Sequence, residues 1–499
     1  MLRPEKGLTI DGFTLGDPLH EGGFATIWAV THPLYRTPMI LKAPKILDGD
    51  DGPTIVGFEI EQMIMPRLTG PHVPRIMGQG GFDSLPYIVQ EAIPGHSLQS
   101  RFDMGPWALS DLLETAARVA EALAALHAQG AAHLDIKPAN ILTRETGEMV
   151  LIDFGLARHR DLPDLLEEEF RIPMGTYPYI APEQVLQTRG DPRSDIFALG
   201  ALLYEMATGR APFGMPSKMK QLKKRLWLDP VPPRFLRPDL PEWLQEIILR
   251  ALEVDPERRY QTAAQLRFDL QHPGQVVLTA RGRKLKPDGW VTLWKRRRRM
   301  RGVTRLGATW ARADVPILLV AVDLSPEGEA LHDLLITWVR RMLTHQPDAR
   351  VALVNVIRTA ILGLDSGTDA AGQSIHVSRL VALKHWAADL KGGGLDGAGM
   401  NGGGLNGGGL DLPEAQLTFQ VLENSDAAQA ILDHAAQVGA DHILMGARGH
   451  STARRYLGSV SAKVVAEAAA SVTVIRAPSP GAPSLSAQTT GAPSPGAPG

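Results

Sequence analysis

The stretch AAHLDIKPANIL, residues 131–142, decides the fold of the first half of this chain. It places the acid Asp135 two residues before the cation Lys137 and five residues before the amide Asn140. A second acid, Asp153, follows a strand-like run in LIDFGLA, and Lys42 ends another such run in MILKAP. Phosphoryl transfer needs a base near the acceptor hydroxyl, cations around the transferred group and a hold on the nucleotide. Oxygen ligands such as Asn140 and Asp153 suit Mg²⁺. The pattern therefore predicts a phosphoryl-transfer site.

Six short motifs follow one another in the order and at the spacing of a known family. They are MILK (39–42), HLDIKPAN (133–140), DFG (153–155), GTYPYIAPEQ (175–184), SDIFALG (194–200) and DPERRY (255–260). Through them, residues 10–272 resemble a eukaryotic-type protein kinase domain of the Ser/Thr sort common in bacteria. The resemblance implies an α+β bilobal kinase fold. The strand-rich sequence before residue 105 and the helical sequence after it agree with that fold, and the helix after residue 109 is expected to begin at an N-cap, Ser110.

The resemblance also implies catalytic roles for single residues. Asp135 is the expected base, Lys137 the cation at the transferred phosphoryl group, and Lys42 the residue that holds the phosphates of ATP. A helix glutamate should pair with Lys42, and both Glu59 and Glu61 lie in the segment concerned. Family spacing favours Glu61, which leaves Glu59 as an exposed helix charge.

Other positions are expected to bind the nucleotide and the metal ion. By resemblance, Asn140 and Asp153 bind Mg²⁺, with Mn²⁺ as the alternative ion. Gln90 corresponds to the gatekeeper, and the backbone of Glu91 and Ala92 should read the adenine edge.

The glycine-rich loop departs from the family pattern G-x-G-x-x-G-x-V. His20 and Ala25 stand at the first and third glycines, and Ile27 stands at the valine. Gly22 keeps the position where the backbone must approach phosphate most closely, and Gly23 keeps the turn permissive. The loop is still predicted to cover ATP.

The acceptor is predicted to be a serine or threonine of a protein. Lys137 two residues after the base, together with Thr176 in the peptide-binding segment, is the Ser/Thr kinase arrangement by resemblance. A small-molecule phosphotransferase of related fold is the rival, but such enzymes generally lack the A-P-E segment found at 181–183.

Leu134 stands where the family has an arginine that contacts a phosphorylated residue of the activation loop. The loop at 156–174 contains no Ser, Thr or Tyr, so the receiver and the phosphorylatable residue are absent together. This pattern is typical of a kinase that works without activation-loop phosphorylation. The acidic run 167–169 has two interpretations: a solvated acidic surface, or a substitute for phosphate that pairs with a basic residue of the same loop. The candidates for that pairing are Arg158, His159, Arg160 and Arg171.

The second half of the chain has a different pattern. From about residue 312, continuous Val/Ile/Leu strands alternate with helices, which predicts an α/β doubly wound parallel sheet. Within 441–461, Gly446, Gly449 and Gly458 follow a strand, and Ser459 opens a helix. Backbone amides of such glycines and a helix N-terminus bind phosphate.

This segment resembles the ATP-binding signature of the universal stress protein family, with the gap from Gly449 to Gly458 one residue short. Asp323, at the end of the first strand, matches the family's acidic residue near the ribose and adenine. The resemblance implies a nucleotide site built from Asp323, these glycines and Ser459, and a homodimer formed through this domain. The alternative is a member that packs and dimerises without nucleotide.

Biased segments divide the chain. The predicted divisions are a kinase domain at 1–275, a basic linker at 276–311, a universal stress protein-like domain at 312–476 with a Gly-rich insertion at 391–410, and a disordered Pro/Ser/Ala/Gly tail at 477–499. The basic stretch 281–301 is interpreted as a solvated linker, as a surface for anionic lipid or nucleic acid next to Trp290 and Trp294, or as a cover for the acidic activation loop.

Composition limits the remaining classes of function. A length of 499 residues predicts two or three domains. The absence of cysteine excludes disulfides and Cys nucleophiles and favours a cytoplasmic setting. A formal net charge of −2 argues against nucleic-acid binding by the whole chain, and the polar N-terminus is not that of a signal peptide.

These observations predict an ATP- and Mg²⁺-dependent, non-specific serine/threonine protein kinase acting in stress signalling. Its partners would be ATP and protein substrates with serine or threonine, and the second domain would sense nucleotide or dimerise. The alternative is a catalytically weak scaffold that senses ATP through both domains. The retained Lys42, Asp135, Asn140 and Asp153 argue against that alternative.

Overall fold

The first lobe is an antiparallel sheet crossed by one helix. The computed structural model describes residues 3–23, 25–45, 52–82, 84–104, 107–169, 172–303, 306, 315–359, 374–391, 412, 416–447 and 458–476. The six strands, in the spatial order β1-β2-β3-β4-β6-β5, are β1 (Thr9–Ile10), β2 (Phe13–Glu21), β3 (Ala25–His32), β4 (Tyr35–Pro44), β5 (Ile76–Gly80) and β6 (Tyr87–Glu91). Helix α1 (Gly52–Ile64) follows β4. Alternate residues such as Phe13 and Leu15 of β2 face the core, as expected for a sheet with one buried face.

The second lobe is helical and carries short strand pairs around the catalytic stretch. Its helices are α2 (Gln99–Phe102), α3 (Leu109–Ala128), α4 (Leu165–Glu169), α5 (Pro182–Val185), α6 (Arg193–Thr208), α7 (Met219–Leu222), α8 (Pro233–Leu236), α9 (Glu242–Ala251) and α10 (Ala263–Gln271). Its strands are β7 (Ala131–Ala132), β8 (Ile141–Thr143), β9 (Met149–Leu151) and β10 (Arg158–His159), paired β7 with β10 and β8 with β9. Short 3₁₀ turns of this lobe span Pro138–Asn140, Lys223–Leu226, Pro256–Arg258 and Pro273–Gln275. Two others lie outside it, Met65–Arg67 after α1 and Glu329–Leu331 in the second domain.

Helix α3 positions the catalytic stretch that follows it. Its apolar stripe is fully buried at Leu112, Ala116 and Leu123. The prediction of Ser110 as the N-cap is wrong by two residues. The N-cap is Ala108, whose backbone is extended. At the other end, Gly130 adopts φ +77°, which lets the chain leave the helix and enter β7.

The basic segment packs on the second lobe, so its interpretation as a solvated linker does not hold for its first part. Arg281 contacts Glu246 at 3.0 Å and Glu253 at 2.7 Å, and the side chain of Gln245 donates to the Arg281 carbonyl. Helix α11 (Trp290–Arg299) follows, and its Arg296 contacts Asp229 rather than the acidic activation loop.

The second domain is a five-stranded parallel sheet with helices on both faces, which confirms the doubly wound prediction. The strands run in the order β13-β12-β11-β14-β15, namely β11 (Ile317–Ala321), β12 (Arg350–Ile357), β13 (Leu417–Glu423), β14 (His442–Gly446) and β15 (Ser471–Ile475). The helices are α12 (His332–His345), α13 (Ile375–Lys391), α14 (Ala427–Val438) and α15 (Ser459–Glu467). Leu318 and Val320 pack with α12 and α13, and Leu319 packs with α14 and α15 on the opposite face.

The parallel sheet reverses its direction of winding between β11 and β14. Crevices at such switch points, beyond the carboxyl ends of the strands, are where ligands bind in this class of fold. Gly449, the Gly-rich insertion and the tail at 477–499 lie outside the described residues. Within the described ranges, no helix has both the length and the apolar character that a membrane crossing requires.

Candidate active site

Lys42 lies between two carboxylates at the junction of the first lobe and the catalytic stretch. Its Nζ is 2.6 Å from the Glu61 Oε2 and 2.9 Å from the Asp153 Oδ1. Burial opposes the charge on Lys42, but Asp153 and Glu61 outweigh it and raise its pKa. The Lys42 ammonium in turn lowers the pKa of Asp153 to about 2, so Asp153 is ionised at neutral pH. Of the two candidate glutamates, Glu61 is the one that contacts Lys42.

The other candidate, Glu59, is not the exposed helix charge that was expected. It is buried, and its Oε1 lies 2.6 Å from Lys384 Nζ of helix α13 in the second domain. The same helix α1 approaches the DFG glycine very closely. A Cβ on Gly57 would lie 3.2 Å from the Gly155 carbonyl oxygen, which explains a glycine in the middle of this helix.

Side chains of the catalytic stretch and of the peptide-binding segment meet at Asp135. Its Oδ1 accepts hydrogen bonds from the Thr176 backbone N–H (2.8 Å) and hydroxyl (2.7 Å). Its Oδ2 lies 2.8 Å from Lys137 Nζ and 3.2 Å from the amide nitrogen of Asn140. The structure therefore brings together the predicted base, the predicted cation, a metal-ligand candidate and the peptide-binding segment.

Asp195 of α6 holds this stretch in its shape. Its two carboxylate oxygens accept the backbone N–H groups of His133 (2.8 Å) and Leu134 (2.7 Å), and His127 Nε2 lies at 2.9 Å. Leu134 has φ +62°, a left-handed conformation that is unfavourable for leucine. The fully buried Asp195 carboxylate thus stabilises a strained turn directly before Asp135.

A buried ion pair joins Glu183 of the A-P-E segment to Arg259 of the DPERRY motif. Arg259 donates to both Glu183 oxygens at 2.7 Å, and both side chains are completely buried. The Ser194 hydroxyl donates to the same carboxylate at 2.6 Å. This network joins the peptide-binding segment to α6 and to the segment before α10.

The described residues suit a divalent cation held mainly by phosphate and water. They contain no cluster of three or more His, Cys, Asp or Glu side chains arranged to hold a metal ion. Asn140 uses its amide nitrogen on Asp135, which leaves its oxygen as the ligand atom. Asp153 offers a half-exposed carboxylate. One or two protein oxygens with phosphates and water are what Mg²⁺ usually takes.

The glycine-rich loop joins β2 to β3. Gly22 donates its N–H to the Ala25 carbonyl at 3.0 Å, and Ile27 pairs with Lys42 across β3 and β4. Gly23 has open space around its Cα, while Phe24 lies outside the described residues.

The hinge departs in part from the expectation. The N–H groups of Glu91 and Ala92 already donate to the Arg75 and Pro38 carbonyls, both at 2.9 Å, so these two donors are not free to read an adenine edge. The Glu91 side chain forms an ion pair with Arg144, which lowers the pKa of Glu91 and ties β6 to the second lobe. Sequence reasoning missed Arg144 because no local pattern marks it.

A cavity of about 370 Å³ is lined by Ala25 at the end of the glycine-rich loop and, among others, by Lys42, Glu61, Asp135, Lys137, Asp153 and Thr176. The predicted catalytic side chains thus share one cleft.

A second cavity, of about 670 Å³, lies at the carboxyl edge of the parallel sheet. Asp323, Gly446, Gly458 and Ser459 all line it. Asp323 accepts the Ser325 N–H at 3.1 Å, and helix α15 begins at Ser459 and so points its N-terminus into the cavity. The arrangement suits an anionic group at the helix N-terminus and a hydrogen-bonding group near Asp323. Gly449, the remaining predicted member, lies outside the described residues.

Comparison with known proteins identifies both domains. The model of the protein kinase domain family matches residues 13–271, and that of the universal stress protein family matches residues 316–476. A probable serine/threonine-protein kinase of Clostridium perfringens is 34% identical over 237 residues, which cover 47% of this chain and 33% of that protein. The serine/threonine-protein kinase PknB of Mycobacterium leprae is 31% identical over 272 residues, 53% of this chain and 44% of that protein.

The chain spans less than half the length of these curated relatives. The crystal structure of the Mycobacterium tuberculosis PknI kinase domain is 22% identical with a TM-score of 0.42, and covers 54% of this chain and 99% of that domain. Family membership implies the use of ATP and a divalent metal ion. The chain belongs to the protein kinase domain family and carries, after its kinase domain, a domain of the universal stress protein family.

Proposed function

We propose that this chain transfers the γ-phosphate of ATP to serine and threonine hydroxyls of proteins, in stress signalling in the cytoplasm. The observation that carries the proposal is the convergence of Lys42, Asp135, Lys137 and Asp153 on one cleft, with the Lys42–Glu61 contact formed. Two named relatives that are serine/threonine-protein kinases support the same class of acceptor.

In this mechanism Asp135 orients the acceptor hydroxyl and takes its proton as the oxygen bonds to the γ-phosphorus. The bond from that phosphorus to the bridging oxygen breaks, and ADP leaves. Lys137 neutralises charge on the transferred group, and Lys42, held by Glu61, positions the phosphates. Asn140 and Asp153 would hold the metal ion, Mg²⁺ with Mn²⁺ as the alternative, and the ion would supply screening of the phosphate charges. Gly22, Gly23 and Ile27 cover the nucleotide, and the carbonyls of Glu91 and Ala92 accept from its base.

The test compares wild type with Asp153→Ala, and uses Asp239→Ala as a matched control. Asp239 is an exposed aspartate of the second lobe. With labelled ATP, Mg²⁺ and a generic basic protein, we expect transfer by wild type and Asp239→Ala and a loss of at least 100-fold in Asp153→Ala. Equal, near-zero transfer in all three, with ATP binding retained, would support the ATP-sensing scaffold instead. Replacing Mg²⁺ by Mn²⁺ in the same assay identifies the preferred ion.

We further propose that the second domain binds an adenine nucleotide in the cavity at the carboxyl edge of its sheet. The position of the cavity at the switch point and the N-terminus of α15 support this assignment. Calorimetric titration of the full chain should give two ATP sites, and Asp323→Ala should leave one. A single site in the wild type that survives Asp323→Ala would overturn the assignment.

Two further partner predictions have direct tests. Sedimentation of the full chain at increasing concentration tests a homodimer through the second domain. Trp290 and Trp294 of α11 are exposed. Contact with a membrane or with nucleic acid is therefore the alternative role of 281–301. Vesicle and nucleic-acid co-sedimentation at low salt tests that alternative.

A further inference from the structure

A buried ion pair joins the activation loop to the second domain. Arg350, the first residue of β12, places its two terminal nitrogens 2.7 and 2.6 Å from the two carboxylate oxygens of Glu168. Gln420 of β13 donates to the same carboxylate at 3.1 Å, and Thr418 accepts from Arg350 at 3.0 Å. The side chains of Glu168 and Arg350 are only 2% and 9% exposed. Glu168 is therefore not solvated, and among the described residues its carboxylate pairs with the second domain rather than with a basic residue of its own loop, unlike either interpretation of the acidic run.

The contact extends along α4 through the backbone. Gln437, near the end of α14, donates to the Glu167 carbonyl at 2.6 Å. That carbonyl belongs to the last turn of α4, a helix of only five residues that would be marginal by itself. The second domain thus stabilises the helical form of this part of the activation loop.

Helix α1 is held by the same domain. Lys384 of α13 is paired with Glu59, and its ammonium also lies 4.8 Å from the centre of the Phe82 ring. Around this pair, one continuous apolar cluster combines residues of both domains. Its kinase members are Ile55, Phe58, Phe82 and Ile88, and its members from the second domain are Val377, Leu380 and Val421.

Both held elements carry parts of the active site. Glu59 lies two residues before Glu61, so the contact with Lys384 fixes the helix that supplies the partner of Lys42. Glu168 lies in the loop that leads to Thr176, whose N–H and hydroxyl bind Asp135. A restraint on α1 and α4 is therefore a restraint on the geometry of phosphoryl transfer.

We infer that Arg350 and Lys384 of the second domain are positioning residues for the kinase reaction, and that the Glu168–Arg350 pair replaces a phosphorylated activation loop and its arginine. The inference rests on the proposed kinase function. A carboxylate offers two oxygens to the planar guanidinium fork, as a phosphate does. Leu134 stands in the catalytic stretch where the family has the arginine that binds the phosphate. Strand β12 of the second domain supplies an arginine, Arg350, in its place.

The experiment measures steady-state kinetics and hydrogen exchange on the full chain. We expect Arg350→Met to lower kcat for a protein substrate at least tenfold, with the KM for ATP changed less than threefold, and to remove exchange protection at 164–169. Lys384→Gln should lower kcat at least threefold and loosen α1. Lys463→Met is the matched control, because Lys463 pairs with Asp426 and Gln429 inside the second domain, and it should leave kcat within 1.5-fold.

A charge swap distinguishes a positioning role of the Glu168–Arg350 pair from a general loss of folding. Glu168→Arg and Arg350→Glu should each behave like Arg350→Met, and the double variant should recover at least a third of the wild-type kcat. The inference is overturned if Arg350→Met stays within twofold of Lys463→Met, if its kcat rises, or if the swap recovers nothing although the double variant is folded. Should wild type transfer no phosphate, the proposed kinase function fails, and exchange at 164–169 in Arg350→Met still decides whether the second domain holds the loop.

Discussion

The turn that precedes the predicted base gives the sharpest test of how the active site is held. Leu134 is left-handed, at φ +62°, and its N–H donates at 2.7 Å to one oxygen of Asp195. The other oxygen accepts the His133 N–H at 2.8 Å. Asp195→Asn keeps the shape of the side chain but replaces one acceptor oxygen by an NH₂ group. One of the two backbone N–H groups must then lose its partner.

The magnitude follows from comparing the strain with the restraint. A left-handed non-glycine residue costs about 1–2 kcal/mol, and a hydrogen bond to a charged group contributes about 1.5–3 kcal/mol. Removing one bond therefore leaves a restraint that no longer clearly exceeds the strain at Leu134. If the lost 1.5–3 kcal/mol is added to the activation free energy because Asp135 is displaced, kcat falls by about 10- to 150-fold, since each 1.36 kcal/mol is a factor of ten in rate.

The assay is kcat for a protein substrate, together with urea unfolding of the same preparation. Tyr260→Phe serves as the control, because it removes a hydrogen bond of 2.8 Å to Asp269 of α10, and neither residue lines the active-site cavity. We expect Tyr260→Phe to lose stability and keep its kcat, and Asp195→Asn to lose both. A kcat for Asp195→Asn within threefold of wild type would refute the claim that Asp195 holds the turn.

Three further results are expected. Leu134→Arg should not raise kcat, because the activation loop offers no residue to phosphorylate, and activation in a steady-state assay would contradict this. Glu183→Ala leaves the buried Arg259 without its carboxylate and should lower the free energy of unfolding in urea by about 3–5 kcal/mol. Burial lowers the pKa of His434, close to Glu168, to about 4. Because the unfolded chain binds that proton below about pH 6.5, the free energy of unfolding should fall by about 3 kcal/mol in total as the pH drops from 6.5 to 4. Thermal denaturation across this pH range measures the fall, and His434→Gln should make the unfolding free energy less dependent on pH.

The sequence could predict the elements that carry chemistry because their residues are close together in the chain. Asp135, Lys137 and Asn140 lie within six positions, and the 3₁₀ turn at 138–140 with the flanking short strands fixes their mutual geometry. The parallel sheet was predictable for a similar reason, since continuous apolar strands such as Ile317–Ala321 are typical of sheets covered on both faces.

Contacts between distant segments could not be predicted in the same way. Glu59 looks like a solvated helix charge, and nothing local indicates Lys384, 325 positions further on. The acidic run suggested a partner in its own loop, whereas Glu168 finds Arg350 across 182 positions. Likewise, the basic run after residue 280 resembles a linker until Arg281 is seen against Glu246. In each case the sequence shows the charge, but its burial and its partner depend on tertiary packing.

A carboxylate in place of a phosphate changes what can control the kinase. No phosphatase can remove Glu168, so any control exerted through this contact has to act on the docking of the second domain. A ligand shifts such an equilibrium only if it binds the docked and undocked states differently. The cavity of the second domain adjoins the docking elements, because Arg379 and Ile431 line it and belong to the helices that carry Lys384 and Gln437. Typical coupling energies of 1–3 kcal/mol change an affinity by about 5- to 150-fold. A nucleotide bound there, as we propose, would therefore contact α13 and α14, the two helices whose Lys384 and Gln437 hold α1 and the activation loop.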